Sequence, residues 1–309
     1  VESDGSFTIN IPLYHHTQVR MMIGNADLVI LLSPEKETNV AINLSNPPGK
    51  QFVFSGQYAT INNEWCQPEL ITKIPPVYSD GDLLDSIVGI SANEFKKRCI
   101  NQYKRYVTHN NAQLQFSEDT RTLANLSCAF DCLENLQATH YCLQTAYQKK
   151  ENITREQAFA AFLDVYLPDD FHNYLKDFPV NHPLALYCYN YRNVVMDLYD
   201  THKDPLAYEK NLLKNAPLTK EEQTLIHQYE TAFKAGISFQ QESELMALSA
   251  KYFKENDLFR WESFSKAKER LSNIIQDSTS LIVDYIRAIY MRSSFYNLQP
   301  LTPRQELMA

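Results

Sequence analysis

The stretch Glu64-Trp65-Cys66-Gln67-Pro68-Glu69-Leu70 comes within one residue of a dithiol redox motif. In Trp-Cys-x-Pro-Cys a thiolate, its pKa lowered at a helix N-terminus, attacks a disulfide, and a second Cys resolves the mixed species. Here Glu69 stands in place of the resolving thiol, and Lys73-Ile74-Pro75-Pro76 interrupts any helix that would follow. Trp65 and Cys66 therefore read as ordinary, partly buried residues at the end of a sheet. A second stretch holds Cys128, Cys132, His140 and Cys142. Zinc sites favour two-residue gaps on a turn, whereas these lie along helical pattern. Cys128 and Cys132 are one turn apart and Cys142 returns to nearly the same face, which reads as a core stripe of small apolar residues. A disulfide between such helix neighbours would be strained.

The other chemistry-bearing residues are scattered. His15-His16 follows a predicted strand, and His109, His172, His182, His202 and His227 occur singly. Asp169-Asp170 and Glu221-Glu222 stand at helix starts, where the macrodipole favours negative charge without any catalysis. Neither a Gly-x-Ser-x-Gly elbow, nor a zinc-protease helix, nor a Gly-rich nucleotide loop occurs. The sequence thus assigns no catalytic, cofactor-binding or metal-binding residue, and the chain reads as a non-enzyme. One surface hint remains: Tyr187, Tyr189, Tyr191 and Tyr199 offer area for a peptide or glycan at low entropic cost. Helix packing is the competing account of the same four rings. The sequons at Asn43, Asn125 and Asn152 add little, since Asn125 falls within helical pattern.

The elements that must position these residues come in two kinds. The chain has 309 residues, enough for about two domains. Its 7 glycines are roughly a third of average usage, so the bulk is expected to be helical. A net charge of −8 argues against nucleic acid, which calls for clustered Lys and Arg. No apolar run approaches a membrane span. The expected class is α+β by segregated domains: a small antiparallel β-sheet or partial sandwich at 1–73, then a mainly α-helical array at 80–309. Strands are expected in GSFTINIPL, DLVILLS, TNVAINLS and QFVFSG. Helices are expected from Ser91 to about His109, from Ser117 to about Lys149, and from Thr154 to Leu167-Pro168. Further helices are expected near 183–202, 205–215, 219–235, 239–256 and 261–296, several opened by capping boxes. The start reads as a hairpin turn without its preceding strand. The end, Pro300-Leu301-Thr302-Pro303-Arg304-Gln305, reads as a connector helix start over 302–309.

The order of the N-terminal elements resembles the accessory region of thioredoxin-like thiol–disulfide oxidoreductases of the Gram-negative cell envelope. Asp4, Gly5, Phe7, Pro12, Pro34, Phe54, Gly56, Ala59 and Asn62 stand at that family's pattern positions, and QPLTPRQ is similar to the helix start that precedes its thioredoxin domain. The turn SPEKETN departs from the family's Gly-Asp pair. The resemblance covers the first seventy residues and the last ten. It implies an exported, periplasmic or envelope protein whose redox chemistry resides in a C-terminal domain. No Cys-x-x-Cys occurs in this chain, so no family catalytic residue carries over. The implied role is to position a redox domain or to contact substrate proteins, with a homodimer as an open option. The alternative is a free-standing envelope protein that binds a peptide or glycan through its Tyr-rich helices.

Overall fold

The computed structural model describes residues 6–13, 16–24, 26–34, 36–47, 50–67, 69–77, 81–155, 157–158, 171–200, 207–235, 237, 239–275 and 281–296. It has two small antiparallel sheets and is otherwise mostly helical, as the segregated α+β reading expects. The chain divides into two compact units. One comprises Val1–Ile74, Ile100–Cys132 and His182–Arg192, the other Pro75–Cys99, Leu133–Asn181 and Asn193–Ala309. The last strand among the described residues ends at Gly56, and a helix, Ala59–Trp65, already precedes the boundary expected near residue 73. Compactness also draws two later segments into the strand-bearing unit.

In that unit β1 (Thr17–Ile23) pairs antiparallel with β2 (Ala26–Leu32), Thr17 opposite Leu32 and Ile23 opposite Ala26. β3 (Thr38–Ile42) pairs with β4 (Phe52–Gly56), Thr38 opposite Gly56. Three of the four expected strands form where the apolar pattern places them. The fourth does not: Phe7–Ile11 lies in neither sheet, and β1 takes its place. β1 forms because Val19 and Met21 face Ile30 and Leu28 in register and join the core of Leu28, Ile30 and Phe54. Leu31, on the opposite face of β2, is also buried, which accounts for the unbroken apolar run of that strand.

A short helix, α1 (Ala59–Trp65), lies against β2 and β4. Trp65 and Cys66 therefore end a helix rather than a sheet. Two neighbouring asparagines on α1 close one strand edge each. Asn62 Oδ1 accepts from the Leu31 N–H (2.8 Å) and its Nδ2 donates to the Leu31 carbonyl (3.2 Å). Asn63 does the same for Phe54, at 2.8 and 3.1 Å. A side-chain amide has the donor and acceptor of a peptide group, so each asparagine stands in for one residue of a missing neighbour strand.

The same device holds the proline-rich stretch after residue 70. α3 (Ala92–Ala112) supplies Asn110, which pairs with both backbone groups of Ile71 at 3.0 and 2.9 Å. α4 (Glu118–Gln137) supplies Asp131, which accepts from Ile74 N–H at 2.7 Å. In the second unit Asn135 accepts from Val77 N–H (2.8 Å) and donates to the Pro75 carbonyl (3.2 Å). Each of these polar side chains is buried and each has backbone partners, as interior burial demands. At the start of α4, Ser117 N–H and Oγ–H both donate to Glu64 Oε2, at 2.9 and 2.6 Å. Burial pushes the Glu64 carboxyl up, and the bonds from Ser117 and Thr120 outweigh it, leaving the group below its ordinary value.

The second unit holds α2 (Gly81–Ser86), α5 (Thr139–Glu151), α6 (Tyr191–Asp200) from its third residue, α7 (Ala207–Asn215), α8 (Lys220–Lys234), α9 (Glu242–Lys251), α10 (Phe253–Ile275) and α11 (Leu281–Tyr296). The helix expected over Ser117–Lys149 is two, broken at Ala138, where Thr139 Oγ1–H donates to the Leu136 carbonyl. The helix expected over 183–202 is a 3₁₀ helix, Pro183–Tyr187, followed by α6. The one expected over 239–256 stops at Lys251, and that over 261–296 is α10 and α11. Of its seam, Phe264, Ala267 and Leu271 are buried, whereas Leu281 and Tyr285 are half-buried and Ala288 is exposed. Among the described side chains of α11, Ile282, Val283 and Ile286 are buried. Leu212, Ile226, Leu248 and Tyr252 form a core among α7, α8 and α9. The Thr219–Glu222 capping box is present in both directions, and Thr154 with Gln157 bonds reciprocally at 2.9 and 3.3 Å. The remainder of that predicted helix, with Leu167-Pro168 and Asp169-Asp170, lies outside the described residues, as does 302–309.

Candidate functional site

The thiols come first, because a redox reading depends on them. All six cysteines are free, and five are buried. Burial pushes the Cys66 thiol above its ordinary value. It drives Cys99, Cys128 and Cys142 up to about 12, with Cys142 adding to the shift of Cys99 and Asp131 to that of Cys128. Cys188 is raised further, by burial and then by Asp131 and Cys128. Reactive cysteines need the reverse, a thiolate favoured by positive surroundings. Cys128 spends its S–H on the Ile71 carbonyl at 3.2 Å. Among the described residues no three of His, Cys, Asp and Glu are grouped to hold a metal ion.

The tyrosines do not form one surface. Tyr187 and Tyr191 are 1% and 2% exposed, whereas Tyr189 is 81% exposed. Tyr191 packs edge-on against Phe130, centroids 5.0 Å apart. Tyr199 lies in the last turn of α6, and its side chain falls outside the described set. The four-tyrosine surface is thus corrected: a short 3₁₀ turn and a break at Cys188 replace the single helix it assumed. The rings point different ways, and only Tyr189 presents its ring to solvent among the three described side chains.

The structure assembles a different constellation in the first unit. Because Thr17 opposes Leu32, the next residues outward at the open end of the β1–β2 hairpin are His16 and Ser33. Ser33 Oγ and His16 Nδ1 are hydrogen-bonded. Tyr187, the last residue of the 3₁₀ helix that lies against β1, brings its hydroxyl to 3.0 Å from the same Nδ1 and 3.3 Å from Ser33 Oγ. Ser33 Oγ–H reaches Tyr58 OH at 3.4 Å. The His16 and Tyr187 rings lie 4.9 Å apart at 31°, and Tyr58 meets Tyr187 edge-on at 6.1 Å.

Tyr58 is held at φ 63°, just before α1. A left-handed backbone costs a residue with a side chain about 1–2 kcal/mol. The edge-on ring contact is worth ~0.5–1.5 kcal/mol and the Ser33 hydrogen bond about 1 kcal/mol, enough to offset that strain. Desolvation, opposed by the Ser33 bond and reinforced by Tyr58, pushes the Tyr187 phenol up to about 12, so it stays protonated and able to donate. A hydroxyl beside an imidazole is the arrangement that activates a serine nucleophile. Ser33 is only 5% exposed, however, and its oxygen is enclosed by two tyrosines. In this geometry the cluster clasps the hairpin end, the start of α1 and the 3₁₀ helix together. Ser33 and Tyr58 escape sequence reading, although Gly24-Asn25 carries the signal. Counting outward from that hairpin turn pairs His16 with Ser33.

No protein-family profile matches the chain, and neither curated proteins nor solved structures give a significant match.

Proposed function

We propose that this chain is a non-catalytic accessory region of an exported thiol–disulfide oxidoreductase of the Gram-negative cell envelope, holding a redox domain or its substrate proteins in position. What supports the reading is the work done by the residues on which the family resemblance rests. Phe54 is buried in the sheet core. Gly56 sits at φ +91°, where a Cβ would lie 2.9 Å from the Glu37 carbonyl oxygen. Ala59 opens α1, and Asn62 closes the β2 edge at Leu31. All four fix a framework and none lines a reactive centre. The absence of any disulfide among the six cysteines, five of them buried, agrees with redox chemistry residing elsewhere. No helix among the described residues is long and apolar enough to cross a membrane.

The test has two arms. Purified chain is assayed for reduction of insulin disulfides by dithiothreitol, with no acceleration over buffer expected. The gene is sequenced beyond the Ala309 codon, with an in-frame Cys-x-x-Cys domain expected. Acceleration that a Cys66→Ser variant abolishes overturns the non-catalytic reading. A reading frame without that domain overturns the oxidoreductase assignment.

A further inference from the structure

We draw no further inference here: the strongest candidate, the Ser33–His16 pair enclosed by Tyr58 and Tyr187 at the open end of the β1–β2 hairpin, belongs to the site already described.

Discussion

Asn62 gives the most demanding test of the edge-closing argument. Its side chain is fully buried, and the Leu31 backbone that it serves is only 1% exposed, so water cannot replace the lost amide in Asn62→Ala. The substitution orphans one N–H and one C=O. An unsatisfied buried group costs ~1–3 kcal/mol, giving about 2–6 kcal/mol for the pair before any cavity is counted. Asn63→Ala removes an identical pair of bonds from Phe54, but Asn63 is only half-buried. Water can reach that site, and the net cost falls to about 0.5–1.5 kcal/mol. Asn62→Asp keeps the acceptor for Leu31 N–H while setting a buried carboxylate against the Leu31 carbonyl, so it should be at least as harmful as alanine. Urea unfolding followed through Trp65, on the same helix, reports the transition of this unit. Amide exchange at Leu31 and Phe54 localises it. Were Asn63→Ala to cost as much as Asn62→Ala, or Leu31 to keep its protection in Asn62→Ala, the peptide-surrogate account would be wrong.

Other consequences are quicker to check. Gly56→Ala places a Cβ in the left-handed region and 2.9 Å from a carbonyl oxygen, so it should cost about 1–3 kcal/mol. Gly24→Ala, at φ +57° with open space around it, should cost only about 1 kcal/mol, and thermal melts showing the reverse order refute the close-approach argument. Thiol titration of native protein at mildly alkaline pH should show fast reaction at Cys66 alone, with six thiols appearing in denaturant. Three or more fast thiols would contradict the burial described. Glu222 accepts from the Lys251 ammonium, Thr219 N–H and Tyr252 OH, which hold its carboxyl down at about 2 against an ordinary 4.5. A depressed carboxylate stabilises fully above its unfolded pKa and loses that contribution as pH falls through the folded one. The α8–α9 contact should therefore loosen between about pH 4.5 and 2, and Glu222→Gln should flatten that part of an acid titration followed by circular dichroism.

Reading the sequence goes furthest where a residue's role depends on near neighbours. An apolar run locates β2, alternation locates β3, and the Thr219–Glu222 and Thr154–Gln157 pairs identify real caps, because strand pleat and helix end are local geometry. The long helices are harder. Helical pattern runs through Ala138 and Tyr252 without an obvious breaker, and the breaks come from backbone that packing decides. The seam expected over 261–296 places Leu281, Tyr285 and Ala288 inward, whereas Ile282, Val283 and Ile286 are the buried ones there.

The asparagines show why the rest stays hidden. In a sequence, Asn62-Asn63 carries the signature of a turn, and Asn110 and Asn135 look like misplaced polar residues in helices. Each is explained only by a backbone segment that arrives from elsewhere: Leu31, Phe54, Ile71 and Val77. The His16–Ser33–Tyr187 contact is the extreme case, joining residues 171 positions apart through a hairpin register and a 3₁₀ turn. A buried amide has to match two backbone groups at once, so the site that receives it is set by how the elements dock. That docking is what periodicity leaves unspecified. β3 has the same pleat as β4 and receives no such amide among the described residues, a difference that strand alternation alone does not foretell.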